Sequence, residues 1–196
     1  RWIDEGKLPT IKRLVEQGVF TSLRSVPNTS SPPAWTSFAT GKNPGKHGIF
    51  RFTERNFDNY RYIYVNGAHR KARTFWEILC GDKTGCVVNV PMTYPAQPIN
   101  GCMISGFDAP GAESEGACYP EEIVAELSRE NGQYWIMRDT GDMLRKGAGW
   151  SRFAESLHEN MEMRYRHIRY LMEKFDWNIF VTVFGETDLA QHFYWK

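Results

Sequence analysis

No stretch of the 196 residues approaches the run of about 20 apolar residues that a membrane span needs. No signal-peptide pattern is present. Neither sign of charge prevails. The formal net charge is +1, so the balance calls for neither nucleic acid nor a membrane surface as partner. Cysteine is sparse: Cys80, Cys86, Cys102 and Cys118 form no C-x-x-C pair and have no histidine at zinc-finger spacing. Reduced, buried thiols are expected, and with them a reducing compartment, the cytoplasm. Repeats and low-complexity tracts are also missing. An initiating Met is missing too: the chain opens on RWIDEGKLP and stops on HFYWK, so the expectation is a piece of a longer protein.

What is there suits one folded domain. Hydrophobic residues make up 41% and aromatic residues 14%, enough for a sizeable core. Helices are expected over Leu8–Gln17, Pro32–Thr40, Thr74–Cys80, Pro120–Arg129 and Trp150–Phe175. Strands are expected over Val19–Val26, Tyr60–Val65, Cys86–Val90, Met103–Ser105, Tyr134–Met137 and Ile179–Phe184, with a turn at Asn43–Gly48 and a loop over Phe107–Cys118. In the long helix, Ala154, Leu157, Met161, Tyr165, Ile168, Met172 and Phe175 recur at three- and four-residue steps, which predicts the buried stripe. Alternating strands and helices predict a three-layer αβα sandwich with a mostly parallel sheet. In such folds ligands gather at the carboxyl ends of the strands.

Two segments sit at such ends. The first is TSSPPAWTSFATGKNPGKHGIF, from Thr29 to Phe50. Proline is tolerated in a first helical turn and serine is a favoured cap, so Ser31 is placed as the N-cap of the Pro32–Thr40 helix, with Gly41 as its stop. Two readings of that hydroxyl fit: a cap alone, or a nucleophile at the positive end of a helix. The second segment is GETDLAQH, after the IFVTVF strand. Asp188 and His192 are four apart and share a face on a helical turn, which suits two ligands of one metal ion. A solvated Asp beside a packed His fits the spacing equally well.

Taken together, SPPAWTSFATGKNPGKHGIF, VVNVPMTYP and FGETDLAQHFYW resemble the alkaline phosphatase superfamily. The likeness is to its type I phosphodiesterase/nucleotide pyrophosphatase branch, especially the predicted phosphohydrolase/phosphomutase group, and it runs from GKLPTIKRLVEQG to the end of the chain. In that family a T-G-x-x-P-x-x-H-G-I pattern closes the nucleophile segment. Here it falls on Thr40, Gly41, Pro44, His47, Gly48 and Ile49, and counting back places the nucleophile at Ser31. The family's D-x-x-x-H falls on Asp188 and His192. His47 belongs to the motif as a structural residue.

The resemblance implies a hydrolase of phosphate esters with two divalent metal ions, zinc first and manganese as the alternative. Ser31, Asp188 and His192 would be this chain's share of the metal ligands. The family's first metal-binding Asp would precede Arg1, and its later Asp-His pair and final His would follow Lys196. Residues 1–196 would then be the N-terminal part of a longer catalytic domain, inactive by itself. The substrate would be a small phosphate ester or a nucleotide-like molecule, with neither nucleic acid nor membrane as partner. Pro32 and Pro33 lack N–H groups, so Ala34 and Trp35 are the expected backbone donors to substrate. The nucleotide pyrophosphatases carry an Asn three residues after the nucleophile; Ala34 stands there.

Other readings stay open. A phosphomutase shares the superfamily's nucleophile segment. A sulfatase-like enzyme would carry Arg at the position of Trp35. A binding domain with a degenerate site would keep the fold alone. His69, Arg70, Lys71 and Arg73 form a basic cluster, taken as a solvated loop. Asp108 in SGFDAPG is taken as a turn residue.

Overall fold

The computed structural model describes residues 1–137 and 140–195, with the side chains of residues 140–142 left aside. The elements run α1 (Pro9–Gln17), α2 (Ser31–Thr40), α3 (Pro44–His47), β1 (Thr53–Arg55), β2 (Tyr62–Tyr64), α4 (Phe75–Leu79), β3 (Gly85–Val90), β4 (Gly101–Ser105), β5 (Cys118–Tyr119), α5 (Ile123–Asn131), α6 (Thr140–Arg145), α7 (Trp150–Lys174), β6 (Ile179–Thr182) and α8 (Gly185–Tyr194). Among the described residues no helix is long and apolar enough to cross a membrane.

The main sheet has the order β5-β4-β3-β6. β3 runs parallel to both β4 and β6, and only β5 is antiparallel. β3 reads GCVVNV and is buried throughout, as a strand covered on both faces must be. Side chains alternate along it. Cys86 and Val88 enter one core with Cys102, Ile104, Leu127 and Leu171, beneath α5 and α7. Val87 and Val90 enter another with Ala39, Trp76 and Met103, beneath α2 and α4. The result is the expected αβα layering. β1 and β2 pair as a separate antiparallel hairpin.

Several expectations are corrected. Val19–Val26 forms no strand; Val19, Phe20 and Leu23 are exposed. Alternation marks a strand only where a sheet edge is there to receive it. Tyr134–Met137 is irregular as well, because the Ile136 carbonyl is taken by side chains, Asn89 and Arg164, and not by a neighbouring strand. The α7 stripe is rotated. Its buried face carries Phe153, Ser156, Leu157, Asn160, Met163, Arg164, His167, Ile168 and Leu171, while Met161, Tyr165 and Met172 are exposed. Reading by hydrophobicity skips the polar members of that face.

The turn expected at Asn43–Gly48 is one helical turn, α3. Gly48 follows in the left-handed conformation at φ 80°, where a Cβ would be strained. The basic cluster is not a solvated loop throughout. The Arg70 side chain is buried and donates to the carbonyls of Ala72 and Met92 and to Glu77 and Gln97. All four cysteines are free thiols and buried.

Candidate active site

The expectation that Ser31 is the N-cap of α2 is corrected. The cap position is Ser30, Ser31 is the first helical residue, and no side chain caps the helix. The reason lies in the two prolines. A capping oxygen accepts from the N–H of the second or third helical residue, and here these are Pro32 and Pro33, which have none. The Ser30 hydroxyl is buried without a partner, whereas Ser31 is exposed and lines a cavity of about 280 Å³.

The same prolines govern the backbone donors. A helix normally opens with several unpaired N–H groups. Here the Ser30 N–H goes to the Asn28 carbonyl at 2.8 Å, and Ala34 makes the first helical bond, to the Ser30 carbonyl at 3.2 Å. The Ala34 N–H, expected as a free donor, is thus committed along the helix. Trp35 sits one residue deeper in the helix and borders the cavity. By this count the Ser31 N–H is the one donor that the first turn of α2 leaves over.

Across the cavity lies α8. It follows β6 directly and starts with Glu186 and Asp188 in its first turn and His192 in its last, each favoured by the helix dipole. Asp188 Oδ2 is 3.5 Å from His192 Nε2, and the two side chains are 79% and 72% exposed. Ser31, Asp188 and His192 all line the one cavity, with Trp35, Phe52 and Phe107 among its walls. The structure therefore brings together residues far apart in sequence.

A carboxylate and an imidazole with a hydroxyl opposite are suitable donors for zinc or manganese. They make an incomplete set: among the described residues no three His, Cys, Asp or Glu side chains form a group that could hold a metal ion. The fit is to part of a metal site.

Sequence reasoning missed the polar floor of the cavity. Arg164 of α7 and Glu186 of α8 are 2% and 7% exposed. The guanidinium donates from Nε to both carboxylate oxygens at 3.0 Å and from Nη2 to Oε1 at 2.6 Å. Nη2 also donates to the Ile136 carbonyl at 3.0 Å, and Nη1 is buried without a partner. Asn89 lies at an irregularity of β3, at φ 63°. Its amide donates to the Ile136 carbonyl at 3.1 Å and its oxygen accepts from the Tyr134 hydroxyl at 3.2 Å. Burial raises the Tyr134 pKa to about 12, so it stays a donor. One signal was available: an asparagine inside a buried apolar strand is out of place unless the backbone bends there.

Asp108 is a turn residue, as expected, and more. Its carboxylate accepts the N–H groups of Met92, Thr93 and Tyr94 at 2.9, 3.3 and 2.8 Å. Burial pushes its pKa up, and those backbone bonds pull it back. It holds the VPMTYP turn beside the end of β3.

The family model of type I phosphodiesterase / nucleotide pyrophosphatase matches residues 1–196. Among solved structures, phosphonoacetate hydrolase from Sinorhizobium meliloti 1021 is similar in fold, with a TM-score of 0.52 at 18% identity; it is seen in complex with phosphonoacetate and with phosphonoformate. The similarity covers 92% of this chain and 41% of that one, so this chain spans less than half the length of that enzyme. No curated protein matches the chain.

Proposed function

Because the chain belongs to the type I phosphodiesterase/nucleotide pyrophosphatase family, we propose that it forms the N-terminal part of a metal-dependent hydrolase of phosphate esters. The observation that carries this reading is the meeting of Ser31, Asp188 and His192 around one cavity. Ser31 is the nucleophile. Its hydroxyl has no capping duty, is exposed to the cavity, and stands at the positive end of α2. Asp188 and His192 would help hold a divalent ion, zinc first and manganese as the alternative. The remaining ligands come from chain beyond residues 1–196.

A serine hydroxyl is a weak nucleophile at neutral pH. The chemistry that divalent ions would supply here is positive charge, favouring the ionised hydroxyl and polarising the phosphoryl group. Ser31 Oγ then attacks phosphorus in line. The Ser31 Oγ–P bond forms as the ester P–O bond breaks, and the leaving oxygen departs with its electron pair and takes up a proton. Water cleaves the phosphoseryl ester in a second displacement and restores the hydroxyl. The Ser31 N–H is the donor available to a non-bridging phosphoryl oxygen, and the aromatic walls would take the ester group.

Ser31→Ala tests the reading. Turnover of bis(p-nitrophenyl) phosphate by the complete protein should disappear, while the melting temperature stays within a few degrees, since no capping bond is lost. Hydrolysis close to the native rate would make Ser31 a bystander and require another nucleophile.

A further inference from the structure

We infer that the buried Arg164–Glu186 ion pair positions α8, and through it holds Asp188 and His192 at the cavity that Ser31 lines. This rests on the metal-ligand reading of Asp188 and His192. The helix is attached at two places. Near its C-terminal end, Phe193 packs on Phe153 with ring centroids 5.0 Å apart, and the Tyr194 hydroxyl donates to the Trp150 carbonyl at 2.8 Å. Near its N-terminal end, Glu186 is gripped by Arg164. Asp188 and His192 lie between the two.

At 3.6 residues per turn, Glu186 and Asp188 are about 200° apart around the helix. Fixing the inner face at Glu186 therefore fixes which way the outer pair points. The attachments differ in kind. Ring packing and a single hydroxyl bond at one end leave room for sliding and rotation, while a guanidinium bonded by two nitrogens to one carboxylate sets an angle. The guanidinium is itself referenced to the cavity floor, because Arg164 and Asn89 share the Ile136 carbonyl.

A buried ion pair is often replaced by apolar residues without loss, and this one also encloses the unpartnered Nη1. What the pair gives that an apolar contact would not is direction. Arg164 is a positioning residue, with Glu186 as its partner.

The test compares the complete native protein with Arg164→Met/Glu186→Leu and with Arg164→Lys. Three quantities are read: melting temperature, zinc affinity by competition with a chromophoric chelator, and amide hydrogen exchange over Glu186–His192. The apolar double variant should keep the native melting temperature or exceed it, bind zinc at least tenfold more weakly, and exchange at least tenfold faster in that segment. Arg164→Lys, which keeps the charge and loses the fork, should fall between the two. Native zinc affinity and native exchange in a folded variant would overturn the inference. Should the double variant fail to fold, the same two readouts on Arg164→Lys decide. Should the native protein take up no zinc, the hydrolase reading fails, and exchange in α8 alone then judges the pair.

Discussion

His47 Nε2 lies 3.0 Å from Ser37 Oγ, while its Nδ1 accepts the N–H of Ile49 at 3.1 Å. The two contacts fix the tautomer, with the proton on Nε2, and tie α3 back onto α2. A second proton would have to enter at Nδ1, where the Ile49 N–H already points. Burial is the main cause that holds the His47 pKa below the usual histidine value, with the Arg70 charge adding to it. His167 is likewise lowered, chiefly by burial.

The sign of the pH dependence follows. The unfolded histidines take up protons near pH 6.5, while the folded ones stay neutral to lower pH. In the window below about 6.5 the unfolded state binds more protons, so stability falls as pH falls, until the folded histidines also titrate. Melting temperature measured from pH 7.5 to 5.5 should decline. His47→Gln, which keeps a donor toward Ser37, should show a shallower decline. An unchanged slope in that variant would remove His47 from the account.

Asp108→Ala should unfold more easily by on the order of 3 kcal/mol, because one deletion strands three backbone N–H groups in a partly buried turn. Asp108→Asn keeps one acceptor and should lose roughly half as much. Urea denaturation of both variants checks the order. Equal, small losses would mean that the turn holds itself.

His192→Ala should weaken zinc binding by more than the roughly 10–100-fold that loss of a supporting residue costs. Excess zinc should then restore part of the hydrolysis, and Asp188→Asn should behave alike. With both side chains largely exposed, neither change should lower the melting temperature of the zinc-free protein appreciably. Full activity at limiting zinc in His192→Ala would cancel the ligand assignment.

The helix after the two prolines and the two central parallel strands were legible because their signals are local. Proline in a first turn, glycine at a helix end and a continuous apolar run each act within a few residues. The buried face of α7 was legible only at Leu157 and Ile168, because Arg164 faces inward by virtue of Glu186 and the Ile136 carbonyl, partners outside its own helix. The capping role given to Ser31 failed because the helix starts one residue earlier: the Ala34 N–H, the donor that a Ser31 cap would need, goes to the Ser30 carbonyl instead. Val19–Val26 has a strand's pattern, but whether a sheet accepts it is decided by neighbours and not by the segment.

The placement of the thiols makes the two halves of the core separately reportable. Cys80 lies in the layer beneath α2 and α4, while Cys86, Cys102 and Cys118 lie in the layer beneath α5 and α7. Every one is shielded in the folded protein, so a thiol-labelling reagent acts as a clock for opening. If the sheet and both helical layers come apart as one unit, all four sulfurs react at a single rate. If the layer that carries Ser31 loosens first, as a site that must admit substrate would, Cys80 is modified ahead of the other three.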